Sequence, residues 1–351
     1  MVYWRRRLKK VRLSTLESNR GQNRRLRKAV EPISGPTSQS YSPISLKPSS
    51  VENKYRTPSQ SPFPVFVLAQ PIWVDNKIEN NIWMKEAKGK EDILDKEVFM
   101  GQWKNFYTRV AGGGAVIYMV PPIKGLQDLV YVNSFVYLPH IKNKDIIILS
   151  NFTAEGRAGE EIAAKNLLEP MGYTCIKAPF KFEGFPELKW IRDNIYFGGY
   201  GFRTDPKFHN WIEKTYDCKV IKIEETDEFC YHLDCNLFVL DKQNVLCCDE
   251  TIDKATIKEI EKVANIYPVT DDDVYEDACN ILRVGEVILA ASNIQFLKKS
   301  DPVYNTQKHK NDRLEEVCSK MGLELVFINL SELAKSGAAC SCMATPLNHI
   351  Y

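Results

Sequence analysis

Cys342 stands in Lys335-Ser336-Gly337-Ala338-Ala339-Cys340-Ser341-Cys342-Met343-Ala344-Thr345-Pro346, a run of small residues closed by proline. Such a run is too poor in large apolar side chains for an ordinary core strand. Small residues let backbone approach backbone or ligand closely, so a thiol there is a candidate nucleophile. Two further segments carry groups that could serve it. Tyr231-His232-Leu233-Asp234-Cys235 reads as strand, and a period of two puts the imidazole of His232 and the carboxylate of Asp234 on one face. Phe182-Glu183-Gly184-Phe185-Pro186-Glu187 places two carboxylates on either side of a turn, where both read equally well as surface charge. A nucleophile, a base and carboxylates suited to a cation are the chemistry on offer. The other histidines, His140, His209, His309 and His349, fall in turns, a helix and a Lys/Asn-rich loop, with His140 and His349 expected at the surface. No set has zinc-ligand spacing, and neither a metal nor a cofactor is expected.

The elements that must position these groups alternate. A strand over 63–68 is followed by a helix over 96–111 and a strand over 115–120. Strands are expected at 129–132 (with Asp128 before it and Asn133 ending it), 135–138 and 145–149, then a helix over 157–171 and a strand over 173–176. The same grammar returns: strands at 194–198 and 219–223 around a helix over 209–216, and a hairpin over 232–248 before a helix over 252–263. Last come further alternation through 298, a helix over 311–321 and a strand over 323–328. The pattern of strand pairs and single helices recurs about five times, which argues an α/β architecture. No glycine-rich dinucleotide fingerprint accompanies it.

The net charge of +2 hides an uneven distribution. Residues 1–60 hold 14 Lys/Arg against 3 Asp/Glu, while the other 291 residues hold 33 against 42. Residues 1–62 are also Ser/Pro-rich and read as a disordered basic tail or a presequence, leaving 63–351 as a single catalytic domain. The acidic body has no basic stripe with interleaved aromatics, so nucleic acid is not an expected partner. There is no run of apolar residues long enough to span a bilayer, and no membrane partner is expected. Ten scattered cysteines without framework spacing read as thiols in a reducing compartment, hence a cytoplasmic protein, or a mitochondrial one if the basic segment is a presequence. Whether it forms a homo-oligomer is not legible.

Taken in order, several segments resemble the guanidine-modifying superfamily of arginine deiminases, dimethylarginine hydrolases and amidinotransferases. They are Asn81-Ile82-Trp83-Met84, Gln102-Trp103, Asp128-Leu129-Val130-Tyr131-Val132-Asn133, Arg157 with Gly159-Glu160, Phe182-Glu183-Gly184, Gly199 to Asp205, His232-Leu233-Asp234 and Cys342. The resemblance spans roughly residues 63–351. Asn133, where typical deiminases carry part of an Arg-Asp pair, makes the pattern similar to the arginine dihydrolase branch. The resemblance implies the pentein fold, a five-bladed α/β propeller of ββαβ-like units around a central active site.

It also implies a small guanidinium substrate and a reaction. Cys342 would add to the guanidinium carbon, His232 would protonate the leaving nitrogen and then activate water, and Glu183 would hold His232 or the cation. Asp234 matches a guanidinium-binding aspartate. Asp128 and Asn133 are candidate contacts to substrate nitrogens, and Arg157 and Arg203 to its carboxylate. Hydrolysis of arginine or a close analogue, to ornithine or citrulline with release of ammonia, is the leading expectation. Amidino transfer to an amine, and a binding protein with impaired catalysis, are the alternatives. Pro186 and Glu187, and Ala338 with Ala339, depart from the pattern near Glu183 and Cys342. An alanine would be strained wherever that loop requires a positive φ.

Overall fold

The computed structural model describes residues 56–89 and 94–349. Most of the expected tail therefore lies outside the described residues. From Arg56 onward the chain already lies against the body: Arg56 pairs with Asp145 at 3.3 Å, and the Ser59 amide donates to the Tyr173 hydroxyl.

One unit is built five times, each a three-stranded sheet. In each, a middle strand pairs antiparallel with a short inner strand and parallel with an outer strand reached through helix. The first unit has β1 (Val65–Ala69) in the middle and β2 (Val116–Val120) outside, joined through the helices Ile82–Gly89 and Lys96–Gly112. The second runs β3 (Phe135–Tyr137), β4 (Ile146–Leu149), helix Glu160–Leu168 and β5 (Thr174–Lys177). The third is β6 (Leu188–Arg192), β7 (Ile195–Tyr200), helix Pro206–Tyr216 and β8 (Lys219–Glu224). The fourth is β9 (Leu237–Val239), β10 (Asn244–Cys248), helix Lys254–Glu261 and β11 (Asn265–Val269). The fifth is β12 (Leu282–Val284), β13 (Val287–Ala291), helix Pro302–Met321 and β14 (Glu324–Ile328). Finally β15 (Thr345–Pro346) returns to pair antiparallel with β1, supplying the first unit's missing inner strand.

The apolar residues explain why five units make one body. Successive side chains of a strand point to opposite faces, and each middle strand here is covered on both. Val65, Val67 and Ala69 pack with the second unit, whereas Phe66 and Leu68 pack with the fifth. Ile147 and Leu149 face the first unit, Ile146 and Ile148 the third. Cys247 faces the third unit and Cys248 the fifth, so the adjacent thiols point apart into separate cores. Five hydrophobic clusters thus fill five interfaces between neighbouring units, closing the pentein ring.

Local expectations fail where a side chain or a proline overrides the apolar pattern. Residues 129–132 are a buried turn rather than a strand, closed by the Tyr131 amide donating to the Asp128 carbonyl. His232 is not in a strand; it caps the short helix Leu233–Asn236, and β9 begins only at Leu237. The expected helix 157–171 is interrupted by Gly159 at φ 102° and ends in a tight turn containing Pro170. The last long helix starts nine residues before its expected position, with Asp301 capping and Pro302 in the first turn, so His309 lies on it rather than in a loop. Nor are His140 and His349 superficial: His140 is bonded to Tyr196 and the Tyr216 carbonyl, and His349 packs against Trp190. Among the described residues no helix is long and apolar enough to cross a membrane.

Candidate active site

The candidate groups meet because each unit contributes the segment that enters its inner strand. Asn133 precedes β3, Glu183 and Glu187 precede β6, and His232 and Asp234 precede β9. Asn280 precedes β12 and Cys342 precedes β15. All five segments converge at one end of the ring axis. There a cleft of about 400 Å³ is lined by Asp128, Asn133, Arg157, Glu183, Arg203, His232 and Cys342, together with Asn80, Tyr131 and Tyr231. Seven of the eight site residues expected from sequence line it. Asp234 does not; it lies behind the thiol.

Glu183 is fully buried, which overturns its reading as surface charge. Its carboxylate accepts from the amides of Thr153 and Ala154 at 3.0 and 3.2 Å, and from His232 Nε2 at 2.9 Å. Arg203 approaches both oxygens at 3.4 Å. Burial by itself would raise its pKa, but the His232 hydrogen bond and the charges of Arg203, His232 and Arg157 prevail and hold it at about 2. An ionised carboxylate thus fixes the His232 ring, leaving Nδ1 the nitrogen not tied to Glu183. Next to it, Gly184 has φ 74°, and a Cβ there would collide with the Asn133 carbonyl. Only glycine lets the Glu183 segment approach the Asn133 turn so closely.

Cys342 sits in the turn Ser341–Met343 and is 8% exposed. Asn280 Nδ2 donates to its Sγ at 3.2 Å. The Asn280 side-chain oxygen in turn accepts the Ser341 amide at 3.0 Å, and the Ser341 hydroxyl donates to Asp234. Asp234 is therefore coupled to the thiol through Ser341 and Asn280. Burial and the Asp234 charge push the Cys342 thiol up to about 12, so at neutral pH it rests protonated. The rival Cys340 is wholly buried in the core between the first and fifth units, and burial and Asp277 push its thiol well above the ordinary range. The loop's positive φ falls on Gly337, at 69°, and not on Ala338 or Ala339. Pro186 likewise fits without strain in the first turn of Phe185–Glu187.

Asp128 is buried, with one oxygen accepting from Asn80 and the other without a partner. Burial raises its pKa, opposed by Arg157. Arg157 is held in a buried fork with Glu160 at 2.7–3.2 Å and also donates to the Tyr131 carbonyl at 2.7 Å. Arg203 stacks 4.6 Å from the Tyr231 ring and donates to the Asn80 carbonyl. Asn80, Asn280, Ser341 and Glu225 were not legible as site residues. Isolated Asn and Ser side chains look alike in loops and at sites, and no spacing links Asn80, Asn280 or Glu225 to Cys342.

Beneath His232 lies a second carboxyl pair. Glu187 is fully buried, 3.6 Å from His232 Nε2, and Glu225 is buried beside it under Gly199. As two carboxylates neither would have a donor. A proton shared between them supplies one, and burial raises Glu187 to about 7 and Glu225 well above its ordinary 4.5. An acid whose folded pKa is raised contributes stability below its unfolded pKa and loses it as pH rises through the folded one. Replacing Glu225 by Gln removes that loss. The melting temperature of Glu225→Gln relative to the native protein should therefore be more favourable at pH 8 than at pH 5; an equal difference at both would contradict a raised Glu225. Gly184→Ala should destabilise by about 1–3 kcal/mol or more, read by urea unfolding, and native-like stability would show that the Asn133 contact yields freely.

No family model matches the chain. Over 254 residues it is 26% identical to the N(G),N(G)-dimethylarginine dimethylaminohydrolase of Mycobacterium tuberculosis, covering 71% of this chain and 76% of that one. It is 27% identical over 285 residues to the bifunctional arginine dihydrolase/ornithine cyclodeaminase AgrE of Nostoc, covering 79% of this chain but only 37% of that enzyme. Among solved structures, AgrE in complex with ornithine and NAD+ superposes with a TM-score of 0.69 at 26% identity over 81% of this chain and 39% of that one. The N-terminal domain of ArgZ, covalently bound to a reaction intermediate, superposes with a TM-score of 0.68 at 24% identity, covering 97% of that domain. The chain has the pentein fold, and the relatives it resembles fit the guanidine-modifying superfamily. Within it, the motif pattern is similar to that of the arginine dihydrolase branch.

Proposed function

We propose that the cleft hydrolyses the guanidinium group of arginine or a close analogue through a covalent adduct on Cys342. The observation that carries this reading is the meeting of a thiol, a carboxylate-held imidazole and a buried, half-satisfied carboxylate in one cleft. The free oxygen of Asp128 offers a guanidinium the acceptor it needs, and Arg203 offers the amino-acid carboxylate a donor. Arg157, already forked to Glu160, positions the Asp128 turn.

A thiol pushed to about 12 is a poor nucleophile until a cation lies beside it. The arriving guanidinium supplies that charge and lowers the thiol's pKa. As Sγ bonds to the guanidinium carbon, the thiol proton passes to His232, and the C=N electron pair moves onto nitrogen. His232 returns the proton to the departing nitrogen, the C–N bond breaks, and ammonia leaves a thiouronium on Cys342. Neutral His232 then takes a proton from water as its oxygen adds to the same carbon. The C–S bond breaks with its electron pair on Sγ, which takes the proton back from His232, and the added oxygen gives up its remaining proton to solvent as the ureido product forms; a second pass over that carbon, with a second water, would yield ornithine, carbon dioxide and ammonia. Glu183 stays ionised throughout and stabilises the imidazolium that forms at each transfer. The ten free thiols accord with a reducing, cytoplasmic setting.

Incubation with arginine, followed by quantification of ammonia, citrulline and ornithine, tests the reading. Ornithine with two ammonia per arginine identifies a dihydrolase and citrulline a deiminase. A product that requires an added amine would identify a transferase, and no turnover on a panel of guanidines would refute the class. Cys342→Ala should lower kcat by at least about 10³-fold and Glu183→Gln by about 10²-fold or more, with KM for arginine changed little. Alkylation of Cys342 by iodoacetamide, followed by peptide mass spectrometry, should be slow at pH 7.5. In Glu183→Gln, which binds but turns over slowly, a guanidinium ligand too small to shield the sulfur should speed it. Equal rates with and without that ligand would oppose a substrate-activated thiol.

A further inference from the structure

The inner strands leave the catalytic end of the ring at their first residues and run toward the other end. At that far end a separate cavity, with about 570 Å³ of space, opens among residues of four of the five inner strands: Lys189 and Trp190 of β6, Phe238 of β9, Leu282 of β12 and Pro346 of β15. Phe66 of β1 and Phe185 complete its apolar wall. It shares no lining residue with the catalytic cleft. Its lining has the composition of a small-molecule site, largely apolar with few polar groups.

One of those polar groups is in an unusual position. Lys189 is 96% buried, its relative exposure being 4%, yet its ammonium forms no hydrogen bond and no ion pair among the described residues. Its one close partner is the face of the Phe185 ring, 3.5 Å from the ring centroid. The other cation of the cavity is differently placed: Arg283 donates to the carbonyls of Gly285 and Leu240. Burial lowers the Lys189 pKa to about 8, with the Asp234 charge opposing. An ammonium at an apolar wall without a protein acceptor is only partly compensated by a ring face. An anion entering the cavity would complete it.

We propose that the far end of the ring is a second ligand site. It would take a small organic carboxylate, whose acid group pairs with Lys189 while its apolar body lies among Phe66, Phe185, Trp190 and Phe238. An aromatic or branched body suits the ring-lined wall; a small hydrophilic anion such as acetate would leave it unfilled.

Calorimetric titration of the full chain with acetate, butyrate, phenylacetate and indole-3-acetate tests this, with phenylacetamide as the uncharged control. Saturable binding is expected, rising in affinity from acetate to the aromatic acids and absent or at least about tenfold weaker for the amide. Lys189→Met should weaken phenylacetate by at least about tenfold, and Phe238→Trp, which fills the cavity from another strand, should weaken it independently. Arginine at saturating concentration should leave phenylacetate binding in place. The site is refuted by no saturable binding of any of the four acids, by equal affinity for acid and amide, by native affinity in both variants, or by displacement with arginine. These readouts do not depend on turnover, so they stand apart from the fate of the catalytic reading.

Discussion

The ionised state of Glu183 is the constraint around which the catalytic end is organised. A carboxylate with no exposure to water survives as an anion only if donors surround it, and two amides, an imidazole and a guanidinium do so here. Each donor is thereby fixed. The loop carrying Thr153 and Ala154 is drawn down, Arg203 is pinned over Tyr231, and the His232 ring is held by one nitrogen. Gly184, next in the chain, permits the approach to Asn133 that brings the second unit against the third. One buried charge thus sets the geometry of three units.

The neighbouring acids show that burial does not dictate one protonation state. Glu187 and Glu225 are buried like Glu183 yet shifted in the opposite direction, because burial outweighs the donors near them: Glu187 has mainly His232 to oppose it, and Glu225 faces the Glu187 carboxyl. The site therefore holds a permanent anion and a proton-sharing pair within a few residues of each other. His232 lies between them, 2.9 Å from one and 3.6 Å from the other. This division gives the imidazole a strong partner without adding another full negative charge to that of Asp234 near the thiol.

Much of the fold was legible in the sequence because its middle strands are apolar throughout: Ile146 to Leu149 could only be a strand covered on both faces. The caps are less legible, and the Asp301 cap that starts the last long helix lies well ahead of the start expected for it. The places that misled are those serving the site. Residues 129–132 are as apolar as a strand, yet they turn to present Asp128 and Asn133. His232 and Asp234 alternate like strand residues, yet the first caps a helix and the second holds Ser341. Those two ended in the same neighbourhood for a reason other than strand period. Asn280 and Ser341 carried no local signal at all, since what makes them matter is the thiol 62 and 1 residues away in the chain.

The return of β15 to β1 has a consequence for when the protein becomes reactive. The strand that closes the ring is entered through the segment that holds Cys342, and it pairs with the first strand of the first unit. Until that pairing forms, Phe66 and Pro346 are apart, and Cys342 is tethered neither to Asn280 nor to the cleft. Chemical competence and circular closure are then a single event: a partly assembled chain carries its nucleophile on a loose end, and a finished one cannot lose the last strand without disarming itself.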